Sequence, residues 1–189
     1  MSQGIIRCKW CEINPAYIKY HDTEWGVPVF KDQKLFECLL LEIFQAGLSW
    51  ITILKKRETI RLAFDNFNAK KIANYTNKKL EELKRNKGII RNRLKIKAAK
   101  KNAIAFIRIQ KEFGTFSKYI WRFTNQKTIK NKFKHVKEIP AKTTLSNQIS
   151  TDLKRRGFKF IGPTIIYAYM QAIGMVNDHT INCFRYNKI

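Results

Sequence analysis

Apolar residues in this chain return at intervals of three and four, and period-two alternation is nearly absent, so its oily surface can be buried only between packed helices. Local signals punctuate those helices. Asp32 is placed to cap a helix that runs to about Ala46 and stops at Gly47, and Ser49 to cap a second, "WITILKKRETIRLAF". Asn68 and Thr76 can begin two short helices ending near Gly88, and "RNRLKIKAAKKNAIAFIRIQKEF" reads as one long basic helix closed by Gly114. Residues 124–145 lack a clear period and carry many lysines, which predicts a long surface loop before a helix near Ser146. The expectation is an all-α fold, with one domain over residues 1–189, because no composition break or internal repeat divides the chain.

The formal charge of +24, from 38 Lys and Arg against 14 Asp and Glu, exceeds what solubility alone requires and calls for a polyanionic partner. An aromatic content of 13% favours nucleic acid over membrane headgroups, because rings stack on bases. No signal-peptide layout and no long apolar run is present, so a cytoplasmic protein without a membrane partner is expected. In that compartment four cysteines point to metal binding or packing rather than to disulfides.

Within "LLLEIFQAGLSW", residues 39–50, Glu42 falls on the apolar line of its helix, three residues after Leu39 and four before Ala46, whereas Glu37 points to the solvated side. A buried unpaired carboxylate costs several kcal/mol or protonates, so it persists only where something compensates it or a function needs it. Trp10, Tyr20, Trp25 and Trp50 would by themselves be assigned to packing. Beside a carboxylate they suit a flat cationic guest, since ring faces and the anion both attract positive charge.

Two further constellations carry chemistry. In "LKRRGFKFIGPTIIYAYMQAIG", a helix ending at Gly157, a four-residue bridge and a helix opening at Gly162 and Pro163 form a helix-hairpin-helix pattern. Gly162 lets backbone N–H groups approach a phosphate, and Lys154, Arg155, Arg156 and Lys159 surround it with charge; an ordinary helix pair would lack that reason for the basic flank. Cys8, Cys11, His21, His179 and Cys183 form the other set, in which His179 and Cys183 stand four apart and can grip one ion. The N-terminal ligands are open between Cys8 with Cys11, the C-x-x-C reading, and Cys8 with His21. Four protein ligands would make the zinc structural.

"YHDTEWGVPVFKDQKLFE", "LEIFQAGLSWITILKKRE", "KGIIRNRLKI", "RRGFKFIGPTIIYAYMQA" and "GMVNDHTINC" together resemble the DNA-3-methyladenine glycosylase I family of base-excision repair, and the similarity covers nearly the whole chain. The resemblance implies a helix-hairpin-helix glycosylase fold, with the hairpin motif at about residues 147–174. It also implies one structural zinc that joins residues 8–21 to 179–183 through Cys8, His21, His179 and Cys183. Cys11 is left as a conceivable exchanging ligand. The base pocket corresponds to the catalytic Glu42 with Tyr20 and Trp50 covering the base faces, and Trp10 and Trp25 nearby. Glu42 would accept from the N6 and N7 edge of an extruded, positively charged 3-methyladenine, a good leaving group that needs no protonation.

Asn177 stands where related enzymes carry an aspartate, with Asp178 pointing elsewhere, and Thr164 stands where strand-nicking relatives carry a lysine, so no lyase activity is expected. The corner Gln45, Ala46, Gly47 and Leu48 is the candidate for filling the gap left in the duplex, and Arg156, Lys159, Gly162 and Thr164 complete the expected DNA contacts. The implied partners are double-stranded alkylated DNA and the free 3-methyladenine product, bound by a monomer. A non-catalytic, zinc-stapled DNA-binding module would share the charge, hairpin and metal but leaves Glu42 unexplained, since a carboxylate near DNA repels phosphate. A basic membrane-surface protein fits only loosely.

Overall fold

The computed structural model describes residues 4–189. Its helices are α1 (Pro15–Thr23), α2 (Asp32–Gln45), α3 (Trp50–Ala63), α4 (Ala69–Ala73), α5 (Asn77–Arg85), α6 (Arg93–Phe113), α7 (Phe116–Trp121), α8 (Thr144–Arg155) and α9 (Pro163–Ala172). Two short strands, β1 (Ile129–Lys130) and β2 (Val176–Asn177), pair in parallel with Ile129 opposite Val176. Among the described residues no helix is long and apolar enough to cross a membrane.

The central element is α2, which packs against α3, α6, α7 and α9. Its Leu35, Phe36, Leu39, Leu40, Ile43 and Phe44 are fully buried, so the helix is apolar on almost every side and cannot stand at a surface. The long α6 lays Ile96, Ala99, Ala103 and Phe106 into the same core, and α9 adds Ile166, Tyr169 and Met170. Burial of such side chains contributes about 1.5–3 kcal/mol each, which fixes α2 rigidly between its neighbours.

Two expected caps form: the Asn68 and Thr76 side chains accept from Lys71 N and Lys79 N. Asn92, expected inside the basic helix, instead caps it by accepting from Leu94 N and Lys95 N, so α6 starts at Arg93, two residues inside the basic stretch. Gly114 ends α6 at φ +81°. Thr143 and Ser146 form a reciprocal capping box that starts α8 at Thr144.

Other expectations need correction. Asp32 is the first residue of α2 rather than its cap. Its carboxylate accepts from Phe116 N, Ser117 N and Gln110 Nε2, and so caps α7 from a distant part of the chain. Ser49 occupies the cap position of α3, but its hydroxyl bonds to Thr52 Oγ1 and not to the backbone. Residues 124–145 are more than a surface loop: they hold β1 and a short turn of 3-10 helix at Val136–Glu138, and Val136 and Ile139 face inward. The parallel pairing satisfies this backbone, as Ile129 N donates to Met175 O and Asn131 N to Asn177 O.

Candidate active site and Cys/His cluster

A cavity of about 590 Å³ opens between α1, α2, α3 and α9. It brings Trp10, Tyr20, Trp25, Glu42, Trp50 and Gln45 together, all nominated by the sequence. Pro15 and the Asn14 side chain start α1, which carries Tyr20, and the fixed position of α2 supplies Glu42. Tyr17, also on the wall, accepts from Ile51 N at 2.9 Å and so ties α1 to the start of α3, beside Trp50. Trp10 meets Trp25 edge to face at 5.1 Å. Tyr20 and Trp50 touch at 5.3 Å with their planes 52° apart, so they form one bent wall rather than the two parallel plates expected to cover both faces of a base. A flat guest can stack on one of these rings and abut the other.

Glu42 is 4% exposed and no hydrogen bond or ion pair reaches its carboxyl group among the described residues. Burial alone pushes its pKa up to about 8, so without a positively charged partner the group is mainly the neutral acid at pH 7. Behind it lies a smaller cavity of about 150 Å³, which shares Tyr20, Glu42 and Trp50 with the first and also reaches Cys38 and Arg57. Arg57 is not available to Glu42. Its guanidinium donates to Glu24 at 2.8 Å and to Glu37 at 2.7 Å, and Lys34 joins the same network. Glu37, expected in solvent, is thus half-buried and paired. The Trp50 indole N–H is buried with no partner among the described residues, a second unsatisfied polar group on the cavity wall.

The cysteine and histidine cluster lies directly behind the Trp10 and Trp25 rings, both of which contact His21. Ligand atoms of Cys8, His21 and Cys183 lie within 4.8 Å of one another, all on buried residues. His21 Nδ1 donates to Asp22 Oδ1 at 2.7 Å, which leaves Nε2 as a lone pair facing the Cys183 sulfur at 3.4 Å. His179 is oriented in the same way. Its Nδ1 donates to Asn177 Oδ1 at 3.0 Å, and its Nε2 is buried with no partner. The two imidazoles meet at 4.9 Å. Gly26, at φ +78°, makes room for this arrangement, since a Cβ there would fall 2.8 Å from His179 Cε1. Cys11 and His179 are both buried but outside this group of three, and burial raises the Cys11 thiol pKa to about 11.

Asn177 lies in the interior and holds His179, while Asp178 accepts from Asn131, Tyr167 and Gln171. The two side chains do point different ways, and neither lines the cavity.

The corner after α2 carries Gly47 at φ +81° and a 41% exposed Leu48. It is held by a residue the sequence did not nominate, Lys95 of α6. Its buried ammonium donates to Phe44 O at 3.1 Å and Ala46 O at 2.5 Å, the carbonyls that the end of α2 leaves unpaired.

The turn between α8 and α9 is clamped from α6. Asn102 accepts from Lys159 N at 2.7 Å and donates to Lys159 O at 3.1 Å, and Ser150 donates to Ile161 O. Between these clamps Phe160 is 42% exposed and held at φ +57°, a backbone region bulky residues avoid. Lys159 and Thr164 are exposed and Gly162 half-buried at the cap position of α9. Arg156 differs from expectation. It donates to Asp152 and Glu112 and lies over Phe113 and Tyr119, so its charge is already partnered.

Residues 10–186 match the methyladenine glycosylase family. The chain belongs to that family. It is 49% identical over 177 residues to the DNA-3-methyladenine glycosylase of Haemophilus influenzae, covering 94% of this chain and 96% of the relative. A solved 3-methyladenine DNA glycosylase I superposes with a TM-score of 0.92 at 45% identity, over 95% of this chain and 98% of that one. A variant of 3-methyladenine DNA glycosylase I in complex with 3-methyladenine superposes with a TM-score of 0.91 at 34% identity, over 94% and 96%.

In this glycosylase the cavity wall also includes Ile13, Val136, Ile139, Ala168 and Gln171, none of which sequence reasoning found. Ala168 and Gln171 stand three apart on α9, and Val136 and Ile139 three apart in the lysine-rich segment. Both spacings were visible, but nothing local tied either pair to Glu42.

Proposed function

We propose that this chain is a monofunctional DNA glycosylase that flips 3-methyladenine out of alkylated double-stranded DNA and removes it by hydrolysis, acting as a monomer with a helix-hairpin-helix fold. The observation that carries the reading is Glu42: a carboxyl group inside an aromatic cavity with no partner among the described residues. The solvation that burial takes from it is recovered only by a guest that brings charge or hydrogen bonds.

Methylation at N3 gives the adenine ring a positive charge. Such a ring entering the cavity favours ionised Glu42, which can accept from the N6 amino group while aromatic walls stack on the base. Unmodified adenine offers the amino group without the charge, and guanine presents a carbonyl oxygen where adenine presents N6, so both are disfavoured. When the glycosidic bond breaks, its electrons neutralise the base and the positive charge passes to the sugar. The lesion therefore supplies its own leaving-group activation, and the pocket supplies selection and an anion near the migrating charge.

Among the described residues the cavity lining contains no lysine, which supports the lack of a lyase step, and Glu42 as its one carboxylic acid. Lys159, the exposed turn and the N-terminus of α9 suit a backbone phosphate, with Gln45, Gly47 and Leu48 filling the vacated stack. The close-set ligand atoms of Cys8, His21 and Cys183, with the buried, unpartnered Nε2 of the adjacent His179 ring as fourth donor, support one structural zinc, and four such ligands would leave no position for substrate.

The test is chromatography of bases released from methylated duplex DNA. Release of 3-methyladenine, little 7-methylguanine and abasic sites without nicks are expected. No release at all would make the protein a DNA-binding module.

A further inference from the structure

A second depression, of about 400 Å³, adjoins the base cavity and shares Val136 with it. Its walls come from both ends of the chain and from the lysine-rich segment. Lys9 stands on one side, Lys134, His135 and Lys137 on another, and Thr180 and Asn182 on the third. Three tethers hold these strands of chain together: Phe184 N donates to Ile6 O at 2.9 Å, Ile181 N to Phe133 O at 2.9 Å, and Thr180 N to the Cys8 sulfur at 3.4 Å.

The charge is only partly balanced locally. Glu138, the acid nearest in sequence, caps its own turn by accepting from Lys134 N. Asp22 is committed to Arg7 and His21. Lys9, Lys134 and Lys137 are exposed and make no ion pair among the described residues. In a chain of net charge +24 a basic surface alone means little. A concave one that shares a wall with the base cavity, with the hydroxyl of Thr180 and the amide of Asn182 in its lining, is more specific.

Extruding a nucleotide draws both of its flanking phosphates toward the cavity mouth, because one sugar is all that separates base from backbone. Those two charges repel each other and need cations there. We propose that this groove is a phosphodiester site for the lesion strand, in which Lys9, Lys134 and Lys137 grip the backbone beside the extruded nucleotide. The proposal rests on the base-excision reading above. It also gives the Cys/His cluster a second consequence, since joining the chain ends builds one wall of the groove.

Binding of a duplex with an abasic-site analogue, measured by fluorescence anisotropy, tests it. The Lys134→Gln and Lys137→Gln double variant should bind about tenfold more weakly, with a salt dependence shallower by about two charges. The Arg substitutions at both positions should restore binding. Neutral methylphosphonate linkages walked along the lesion strand give the deciding readout. At one or two linkages near the lesion the wild type should lose affinity several-fold while the double variant loses none. Penalties that simply multiply at every linkage would overturn the groove as a phosphate site. Wild-type excision is followed in parallel: coupling without 3-methyladenine release would retain the groove and refute the proposed reaction, and release without coupling would do the reverse.

Discussion

Glu42 and Arg57 line the same small cavity, yet no ion pair joins them, because Glu24 and Glu37 already hold the guanidinium at 2.7 to 2.9 Å. Glu24 and Glu37 engage Lys34 as well, so both cations of this network are already partnered. The pocket acid therefore waits for an external positive charge.

That isolation has a price in stability. Glu42 ionises near 4.5 in an unfolded chain and near 8 in the fold, so the folded protein holds the extra proton between those values. Stability is accordingly lost as pH rises across that window. Glu42→Gln should be more stable than wild type at pH 8 by about 2–4 kcal/mol, and by less at pH 5, when thermal melts are compared. The same variant should keep most duplex affinity and lose excision. An unchanged excision rate would remove the role assigned to Glu42.

A permanently charged guest should expel the proton. Binding of 3,9-dimethyladeninium at pH 7 is expected to release close to one proton per cation, declining at higher pH. Calorimetry in two buffers of different ionisation enthalpy measures it. The neighbouring Tyr20 and Cys38 are themselves pushed upward by burial and stay protonated, so they add nothing in this range. Binding without proton exchange would mean the acid is already ionised.

Metal analysis should find one zinc per chain. His179→Ala, which removes the unpartnered Nε2, should lose the ion and lower the melting temperature by several degrees, while excision measured well below melting falls far less. Cys11→Ser should retain the ion, because the proposed ligand set of Cys8, His21, His179 and Cys183 omits it. A variant at Cys11 that loses zinc would reinstate the C-x-x-C pair.

Lys95→Met keeps the apolar stem and deletes the donor to Phe44 O and Ala46 O. The cost in stability should be about 1–3 kcal/mol. Excision from duplex DNA should fall tenfold or more, while capture of free 3-methyladenine changes less than twofold, since the corner acts on DNA and not on the base. Equal losses in both assays would show that Lys95 merely supports the fold.

Much of this molecule is encoded locally. Asn68, Thr76 and Asn92 start their helices through bonds that span two or three residues, so their roles are legible in the sequence. Helical spacing likewise exposed Glu42 on an apolar line. The grouping of the aromatic residues, and of Cys8, His21 and Cys183, was legible through family resemblance rather than from spacing.

Tertiary packing decided the rest. Asp32 caps a helix that begins 84 residues away, Lys95 braces a corner 49 residues away, and Arg156 is captured by Glu112. Val136 and Gln171 reach the cavity from separate segments. Hydrogen bonds within one helical turn follow from residue identity and the helical repeat. Which distant groups meet, and whether a buried acid keeps its proton, depends on how the helices dock and how much water they exclude, a property of the assembled core.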